Sequence, residues 1–214
     1  MDTLISSFLF IGSGISVTVQ LLIGGICIGS VLGALFAVVR YKFFATPINL
    51  FISIVRGTPV ILQLSFVYFS TPSLFGIKLS ILEAGILTFG LNSSAYSAEI
   101  LRAGIESLPK GQFEAAKTLH IPCFYMWKDI ILPQVIRRVL PAMINEIITL
   151  LKETALISTI GGMDILRKSQ TLAAEQFSYF MPLCIAGAYY YGFVLLIEYI
   201  GRKMEQRGKY VQNS

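Results

Sequence analysis

The residues with the clearest potential for chemistry are polar and charged side chains inside an apolar stretch near the end of the chain. Four of them recur at spacings of one, three, four or seven residues, so several share one surface of a helix: Asn145, Glu146, Thr149 and Glu153. Lys152 lies on an adjoining face. Charged groups are costly in apolar surroundings, so we expect this surface to face the interior of a bundle. A polar pathway and an internal structural network both remain open.

A second polar strip is predicted about fifty residues earlier. Asn92, Tyr96 and Glu99 fall at positions i, i+4 and i+7, which brings them to one face of a helix. Glu99 also stands three residues before Arg102, a spacing that favours an ion pair on the same helix. For Glu99, simple pairing is the favoured interpretation.

The elements that position these residues are predicted from apolarity. Hydrophobic residues make up 55% of the 214 residues and charged residues 14%, with a mean hydropathy of +0.71. This is too apolar for an ordinary soluble domain. Residues 3 to 39 carry no ionisable side chain, and about 20 apolar residues span a bilayer. Because Asp2 is the only early charge and the run is long, we interpret it as a mature helix and not as a signal peptide.

Five membrane-spanning helices are predicted in all, within a single domain. Their approximate bounds are 13–39, 59–77, 79–101, 139–160 and 181–200. Thr58 and Pro59 mark the start of the second span, as a cap and a first helical residue. The preceding segment, 43–55, is short for a crossing, and we interpret it as an interfacial helix.

The basic residues predict the orientation. One set of connections carries 13 lysines and arginines, among them Arg40, Arg56 and Arg102, and the opposite set carries only Lys78, Arg167 and Lys168. Cytoplasmic loops retain basic residues, so the N-terminus is predicted outside and the C-terminus in the cytoplasm. We interpret the formal net charge of +5 mainly as this topology signal and not as a nucleic-acid-binding surface.

Two packing features complete the description of the spans. Gly25, Gly29, Gly33 and Ala37 repeat every four residues in the first helix, a pattern that predicts close contact with a neighbouring helix. The three cysteines show no metal-type spacing, so we expect buried small side chains without a disulfide or metal role: Cys27, Cys123 and Cys184.

The longest cytoplasmic connection, 102–138, carries the most specific motif. Glu114-Ala115-Ala116 is followed at fixed spacing by Ile130, Leu132 and Pro133. The segment resembles the EAA loop of the permeases of ATP-binding cassette (ABC) importers. The family has glycine where this chain has His120. That glycine position is expected to end a short helix with positive φ, which histidine tolerates, and Pro122 agrees with a helix stop.

Further motifs resemble the polar amino acid branch of these permeases, of the histidine, glutamine and arginine type, over roughly residues 12 to 205. They are Arg56-Gly57-Thr58-Pro59 with Gln63, residues 92–99 and 102–105, Leu132-Pro133-Gln134, and residues 152–156. Glu153 and Ala155 stand where the family more often has Asp and Ser. The resemblance implies an all-α, five-helix permease of the type I importer fold in the inner membrane of a bacterium.

The resemblance also implies partners and sites. Two short helices around Glu114 would fit a groove on a separate ATPase, with close approach at Ala115 and Ala116. Phe113, Leu119, Phe124 and Trp127 are expected to fill apolar sockets. The implied partners are an ABC ATPase pair, a second permease copy or a related permease, an extracytoplasmic amino-acid-binding protein and membrane lipid. The candidate translocation path comprises Gln63, Asn92, Tyr96, Glu99, Asn145, Glu146, Thr149 and Glu153.

Other functions are disfavoured by what the chain lacks. It contains no G-x-x-x-x-G-K-[ST] phosphate loop, so ATP and Mg²⁺ are expected on the partner ATPase and no cofactor on this chain. A secondary carrier driven by an ion gradient is the alternative, but it has no evident use for the long loop. An intramembrane enzyme is disfavoured by the single histidine and the absence of a G-x-S-x-G motif.

Overall fold

The computed structural model describes residues 2–42 and 45–210, and the regular structure within these ranges is helical. In chain order the helices are α1 (Asp2–Gly12), α2 (Ile15–Lys42), α3 (Ala45–Gly57), α4 (Val60–Phe75), α5 (Ile81–Glu106), α6 (Lys110–Thr118), α7 (Cys123–Tyr125), α8 (Leu132–Glu153), α9 (Ile165–Gln176) and α10 (Phe180–Tyr210). A π-helical segment, Met126–Ile131, precedes α8, and a 3-10 helix, Thr154–Ile160, follows it. Residues 43 and 44 of the predicted interfacial segment lie outside the described residues, as do the side chains of the basic residues Lys42, Arg207 and Lys209.

The apolar helices form the outside of the fold. Among the described residues, Leu4–Arg40 and Phe180–Gln206 are long and apolar enough to cross a membrane, and α3 with α4, bent by 106°, would count as a third span. Helices α5 and α8 have sufficient length, 26 and 22 residues, but polar side chains make them less apolar. Helix α5 contacts α2, α3, α4 and α8, so it is the central helix of the bundle.

The predicted glycine stripe of α2 is confirmed as a close helix contact. A Cβ atom on Gly29 would lie 2.7 Å from the Ser93 side chain, and one on Gly33 would lie 2.5 Å from the Ser97 Cβ atom. Glycine therefore lets the two backbones approach closely, as small residues do in membrane bundles. This contact fixes α5 against α2 over the turns that carry the polar strip.

Helix boundaries differ from the predictions where polar groups cap the chain. Helix α5 begins at Ile81 because Ser80 and Glu83 form a capping box: the Glu83 N–H donates to the Ser80 hydroxyl at 3.2 Å and the Ser80 N–H to the Glu83 carboxylate at 2.8 Å. The predicted fourth span ends as an α-helix at Glu153 and continues as a 3-10 helix to Ile160. The tighter turn changes which residues face the core.

The prediction that the cysteines are buried is wrong. Cys27, Cys123 and Cys184 are all exposed. In a chain with an apolar outer surface, a small hydrophobic residue gains little from burial, because lipid is as apolar as a protein core.

Candidate functional site

The polar residues of α5 and α8 meet at one point of the helix interface. The Asn92 amide donates a hydrogen bond to the Glu153 carboxylate at 3.1 Å, across 61 residues of sequence. Asn92 is buried and Glu153 half-buried. The Asn92 carbonyl oxygen is buried and has no hydrogen-bond partner among the described residues. An unpartnered buried acceptor is rare in native proteins, so this pair has capacity for a further donor.

Glu146 adds a second carboxyl group to the same interface between α5 and α8. We call this set of polar side chains, Asn92, Glu146 and Glu153, the polar seam. It is one of the buried polar residues, seven positions before Glu153 on α8, and it interacts with the side chain of Ser93 on α5. Lys152, the nearest lysine in sequence, is exposed. The seam therefore holds two carboxyl groups and an amide, a set that suits hydrogen-bond donors and cations better than anions.

Asn145 and Thr149 do not join this cluster. Both are exposed, and the Thr149 hydroxyl donates to the Asn145 carbonyl at 3.0 Å along the helix. The prediction that the four polar residues of α8 face the interior of the bundle is therefore wrong for these two within one chain. The helix turns by about 100° per residue, so neighbours such as Asn145 and Glu146 point to different sides.

Tyr96 and Glu99 belong to a separate ionic cluster, about 10 Å further along α5. Glu99 pairs with Arg102 at 2.9 Å, with Arg56 at 3.6 Å and with Arg40. The Arg56 guanidinium also lies over the Tyr96 ring, 5.2 Å from its centroid. The predicted pairing of Glu99 with Arg102 is confirmed. The cluster joins α2, α3 and α5.

Gln63 supports a corner of the chain. Its amide donates to the Val55 carbonyl at 2.7 Å and to the Thr58 hydroxyl at 2.9 Å, across the 106° bend between α3 and α4. The prediction that Thr58 caps α4 is wrong: the helix begins at Val60 after Pro59, and the Thr58 hydroxyl donates to Ile54 instead. The bend between α3 and α4 is therefore held by Gln63, a side chain from within α4. The sequence alone does not reveal this contact.

The turn at His120 is as predicted. Helix α6 ends at Thr118, and His120 adopts a φ of 55°. The Ile121 N–H donates to the Ala116 carbonyl at 3.0 Å, and the His120 N–H to the Lys117 carbonyl at 3.0 Å, which gives the last turn of α6 its hydrogen-bond partners. The positive φ expected for the glycine position is confirmed with histidine in it.

The segment 102–138 exposes one surface and buries another. Glu114 and Ala115 are exposed, whereas Ala116 is buried with Met126, Ile131 and other apolar residues. The expectation that Ala116 lies open to a partner is therefore wrong. Of the motif's second part, Leu132 is exposed, and Ile130 and Pro133 are half-buried.

The aromatic residues of this segment also divide into two groups. Phe113 and Trp127 pack edge to face against each other, with ring centroids 6.2 Å apart. They are therefore less available than expected to fill apolar sockets on a partner. Leu119 and Phe124 are 72% and 68% exposed, beside Tyr125 at 53%. Exposed large apolar residues beside an exposed carboxylate form a surface suited to a protein partner. We call Glu114, Ala115, Leu119, Phe124 and Tyr125 the coupling surface.

A pair of glutamines missed by the sequence analysis ties this surface to the membrane helices. The Gln112 amide donates to Gln134 at 3.0 Å, and the Gln134 amide donates back at 2.7 Å. Arg138 of α8 donates to the Ser107 carbonyl at 2.6 Å, which links α8 to the end of α5. The two glutamine hydrogen bonds fix α6 to α8, the helix that carries Glu153.

A helical bundle with apolar outer helices and a polar seam between two inner helices is typical of membrane permease subunits. The chain matches a family model over residues 25–209 and belongs to that family, the binding-protein-dependent transport system inner membrane components. It is the permease subunit of an ABC importer. Membership in this family favours the importer over the secondary carrier.

Two relatives named as amino acid transport permeases match nearly the whole chain. A putative glutamine transport system permease protein of Rickettsia typhi is 44% identical, with 93% of each chain covered. An arginine transport system permease protein of Bacillus subtilis is 39% identical, covering 94% of this chain and 93% of its own.

Solved structures show the same architecture. The crystal structure of an amino acid ABC transporter with histidines matches with a TM-score of 0.87 at 33% identity, covering 96% of this chain and 97% of that one. The inward-facing MetNI methionine ABC transporter matches in fold, with a TM-score of 0.71 at 17% identity, over 96% and 95% of the two chains. The fold is therefore the type I ABC importer permease fold.

Proposed function

We propose that this permease carries polar amino acids inward across the cytoplasmic membrane and that Asn92 and Glu153 contact the solute on its way. The single observation that carries this proposal is the partly satisfied Asn92–Glu153 pair at the α5–α8 interface. Its carboxylate accepts hydrogen bonds from an ammonium, amide or guanidinium group. The glutamine and arginine permeases among the relatives support the same class of solute.

The proposed topology has five spans, with the N-terminus outside and the C-terminus in the cytoplasm. They correspond to α2, α4, α5, α8 and α10, with α3 as an interfacial helix. In this orientation the coupling surface lies in the cytoplasm, where ATP is available, and α9 lies on the opposite side.

The exposed polar stripe of α8 supports pairing with a second permease. Asn145, Thr149 and Lys152 form a surface that is unfavourable against lipid. A second copy or a related permease across this face would enclose a polar path between the two subunits. ATPases bound at the coupling surfaces close and reopen with ATP and Mg²⁺, and a binding protein delivers the amino acid from outside.

Reconstitution tests this function directly. The permease is placed in proteoliposomes with and without its ATPase and binding protein, and uptake of labelled glutamine and arginine is measured. We expect accumulation against a gradient only when the ATPase and ATP are both present. Accumulation by the permease alone, driven by an imposed ion gradient, would show instead that the chain works as a secondary carrier.

A further inference from the structure

Helix α9 lines a groove that the Asn92–Glu153 seam does not include. The groove encloses about 750 Å³ and is lined by Arg167, Gln170, Thr171, Ala174, Glu175 and Tyr179. Its helical residues recur at i, i+3, i+4, i+7 and i+8, so they form one face of α9. The volume lies within the range of about 300–1,000 Å³ that is usual for small-molecule pockets.

The groove is held in place by a buried anchor at the start of α9. The Asp164 carboxylate, which is 0% exposed, accepts hydrogen bonds from the Arg167 N–H at 2.9 Å and from the Tyr190 hydroxyl at 3.0 Å. The Thr18 hydroxyl oxygen accepts a long hydrogen bond, 3.5 Å, from the Ile165 N–H. These contacts fix α9 to α2 and α10. A site on a fixed helix is preorganised for its ligand.

The two ends of the groove carry opposite charges. Arg167 and Glu175 stand eight residues apart, about 12 Å along the helix. No ion pair to either of them is found within residues 2–42 and 45–210. The Arg167 Nε–H is buried and lacks a hydrogen-bond partner in the same part of the chain. The positive charge of the Arg167 guanidinium has no ion-pair partner among the described residues, so this end of the groove favours an anionic ligand group.

We propose that this groove is a reception site for the amino acid before it reaches the Asn92–Glu153 pair. Arg167 binds the α-carboxylate, and Glu175 binds the donor-bearing end of an extended side chain, with Gln170 and Thr171 between them. The site therefore accepts amide and basic amino acids and disfavours acidic ones, whose second carboxylate would lie against Glu175. This inference rests on the proposed function and orientation.

The position of the groove along the chain fits a sequential transfer. The 3-10 helix Thr154–Ile160 directly follows Glu153, and α9 begins five residues after it, at Ile165, so the chain leads from the Asn92–Glu153 pair to the groove. The ligand would pass from a site with one cation and one carboxylate to a seam with two carboxyl groups. A cationic or amide group at the end of the solute's side chain then finds a carboxylate acceptor at both sites, in the groove and in the seam.

The test uses the complete assembly of permease, ATPase and loaded binding protein in proteoliposomes. Labelled glutamine and arginine delivered per ATP hydrolysed are measured for Arg167→Gln, Arg167→Lys and Glu175→Gln. Lys168→Gln serves as the matched control, because Lys168 is a neighbouring cation that lies over the Phe10 ring, 4.9 Å from its centroid, and does not line the groove.

We expect Arg167→Gln to lower delivery per ATP about tenfold for both solutes, a change of about 1.4 kcal/mol. Arg167→Lys should recover part of it, Glu175→Gln should reduce arginine delivery more than glutamine delivery, and Lys168→Gln should change delivery less than twofold. The half-saturating binding-protein concentration for ATPase stimulation should stay unchanged in all variants.

Three results would overturn the reception site. Unchanged delivery in Arg167→Gln would show that the groove does not hold the solute. A raised half-saturating concentration of binding protein would assign Arg167 to protein docking, and loss of subunit pairing in size-exclusion chromatography would assign it to the permease interface. If the unaltered assembly transported neither solute, the proposed function itself would fail, and the reception site with it.

Discussion

Glu99 lies on α5, and Glu153 lies on α8 and contacts α5, yet the surroundings of the two carboxylates differ. Among the described residues, Glu153 receives a hydrogen bond from the Asn92 side-chain amide, whose own carbonyl oxygen is left without a partner. Glu99 is shared by three arginines from three helices, and one of these, Arg102, also binds Glu106 at 2.7 Å. The Glu153 carboxylate can therefore accept further hydrogen bonds, whereas the acceptor positions of Glu99 are occupied by arginines.

The difference separates a ligand position from a structural one. A carboxylate surrounded by guanidinium groups offers few acceptor positions to a passing solute, whereas one that meets a single amide offers several. We therefore propose that Glu153 lies on the path and that Glu99 belongs to the ion-pair cluster that holds α2, α3 and α5 together.

The largest effect on this comparison is expected from Glu153→Gln. Glutamine keeps a hydrogen bond with Asn92 but loses the charge. The loss weakens the interaction with the solute by about 2 kcal/mol, so uptake of labelled arginine should fall roughly thirtyfold while the complex assembles normally. Initial uptake rates in proteoliposomes, normalised to the permease content, provide the measurement.

The control for Glu153→Gln is Glu198→Gln, which removes a carboxylate from an exposed pair with Arg202 at 2.9 Å. It should leave uptake within twofold. If Glu153→Gln transports arginine at the normal rate, Glu153 belongs to an internal network and the contrast with Glu99 disappears.

A smaller effect, on stability and not on transport, is expected from Glu99→Gln. Replacing the shared carboxylate with a neutral amide leaves the arginines of a partly exposed cluster without their common anionic partner, at a cost of about 1.5 kcal/mol. For a chain of this size the melting temperature in detergent should fall by about 3–6 °C.

The stability control is again Glu198→Gln, which should lower the melting temperature by less than about 2 °C because exposed pairs contribute little. Uptake per folded Glu99→Gln transporter should stay within threefold. A selective loss of transport without loss of stability would place Glu99 in the path after all.

Local features of the fold could be predicted from the sequence. The glycine stripe predicted a close contact of α2, and His120 was predicted to replace a positive-φ glycine; both depend on residues within a few positions of one another. The same holds for the Glu99–Arg102 pair, three residues apart on one helix. Periodicity and turn chemistry are local, so a single sequence reveals them.

Contacts between distant parts of the chain could not be predicted in this way. Arg40 and Glu99 are 59 residues apart, and Gln112 and Gln134 are 22 apart, so no spacing rule joins them. The outward direction of Asn145 and Thr149 depends on where α5 packs against α8, which helical periodicity alone does not fix. The inward face of a helix is decided by its neighbours.

In the proposed function, ATP-driven transport depends on the link between the coupling surface and α8. Gln112 and Gln134 join α6 to α8, and Glu114 lies on the exposed side of α6. We propose that movement of an ATPase against Glu114 is passed through these glutamines to the helix that carries Glu153, whereas the apolar contacts of Ala116 keep the loop folded.

ATP-driven uptake by a Glu114→Lys assembly tests this account most directly, with Glu205→Lys as a control that makes the same change of charge on α10. We expect Glu114→Lys to lower uptake at least about tenfold and to weaken co-purification of the ATPase, since a contact across a partner interface is replaced by repulsion. Glu205→Lys should retain both. Full ATP-driven uptake in Glu114→Lys would contradict the proposal that energy enters this permease through the coupling surface.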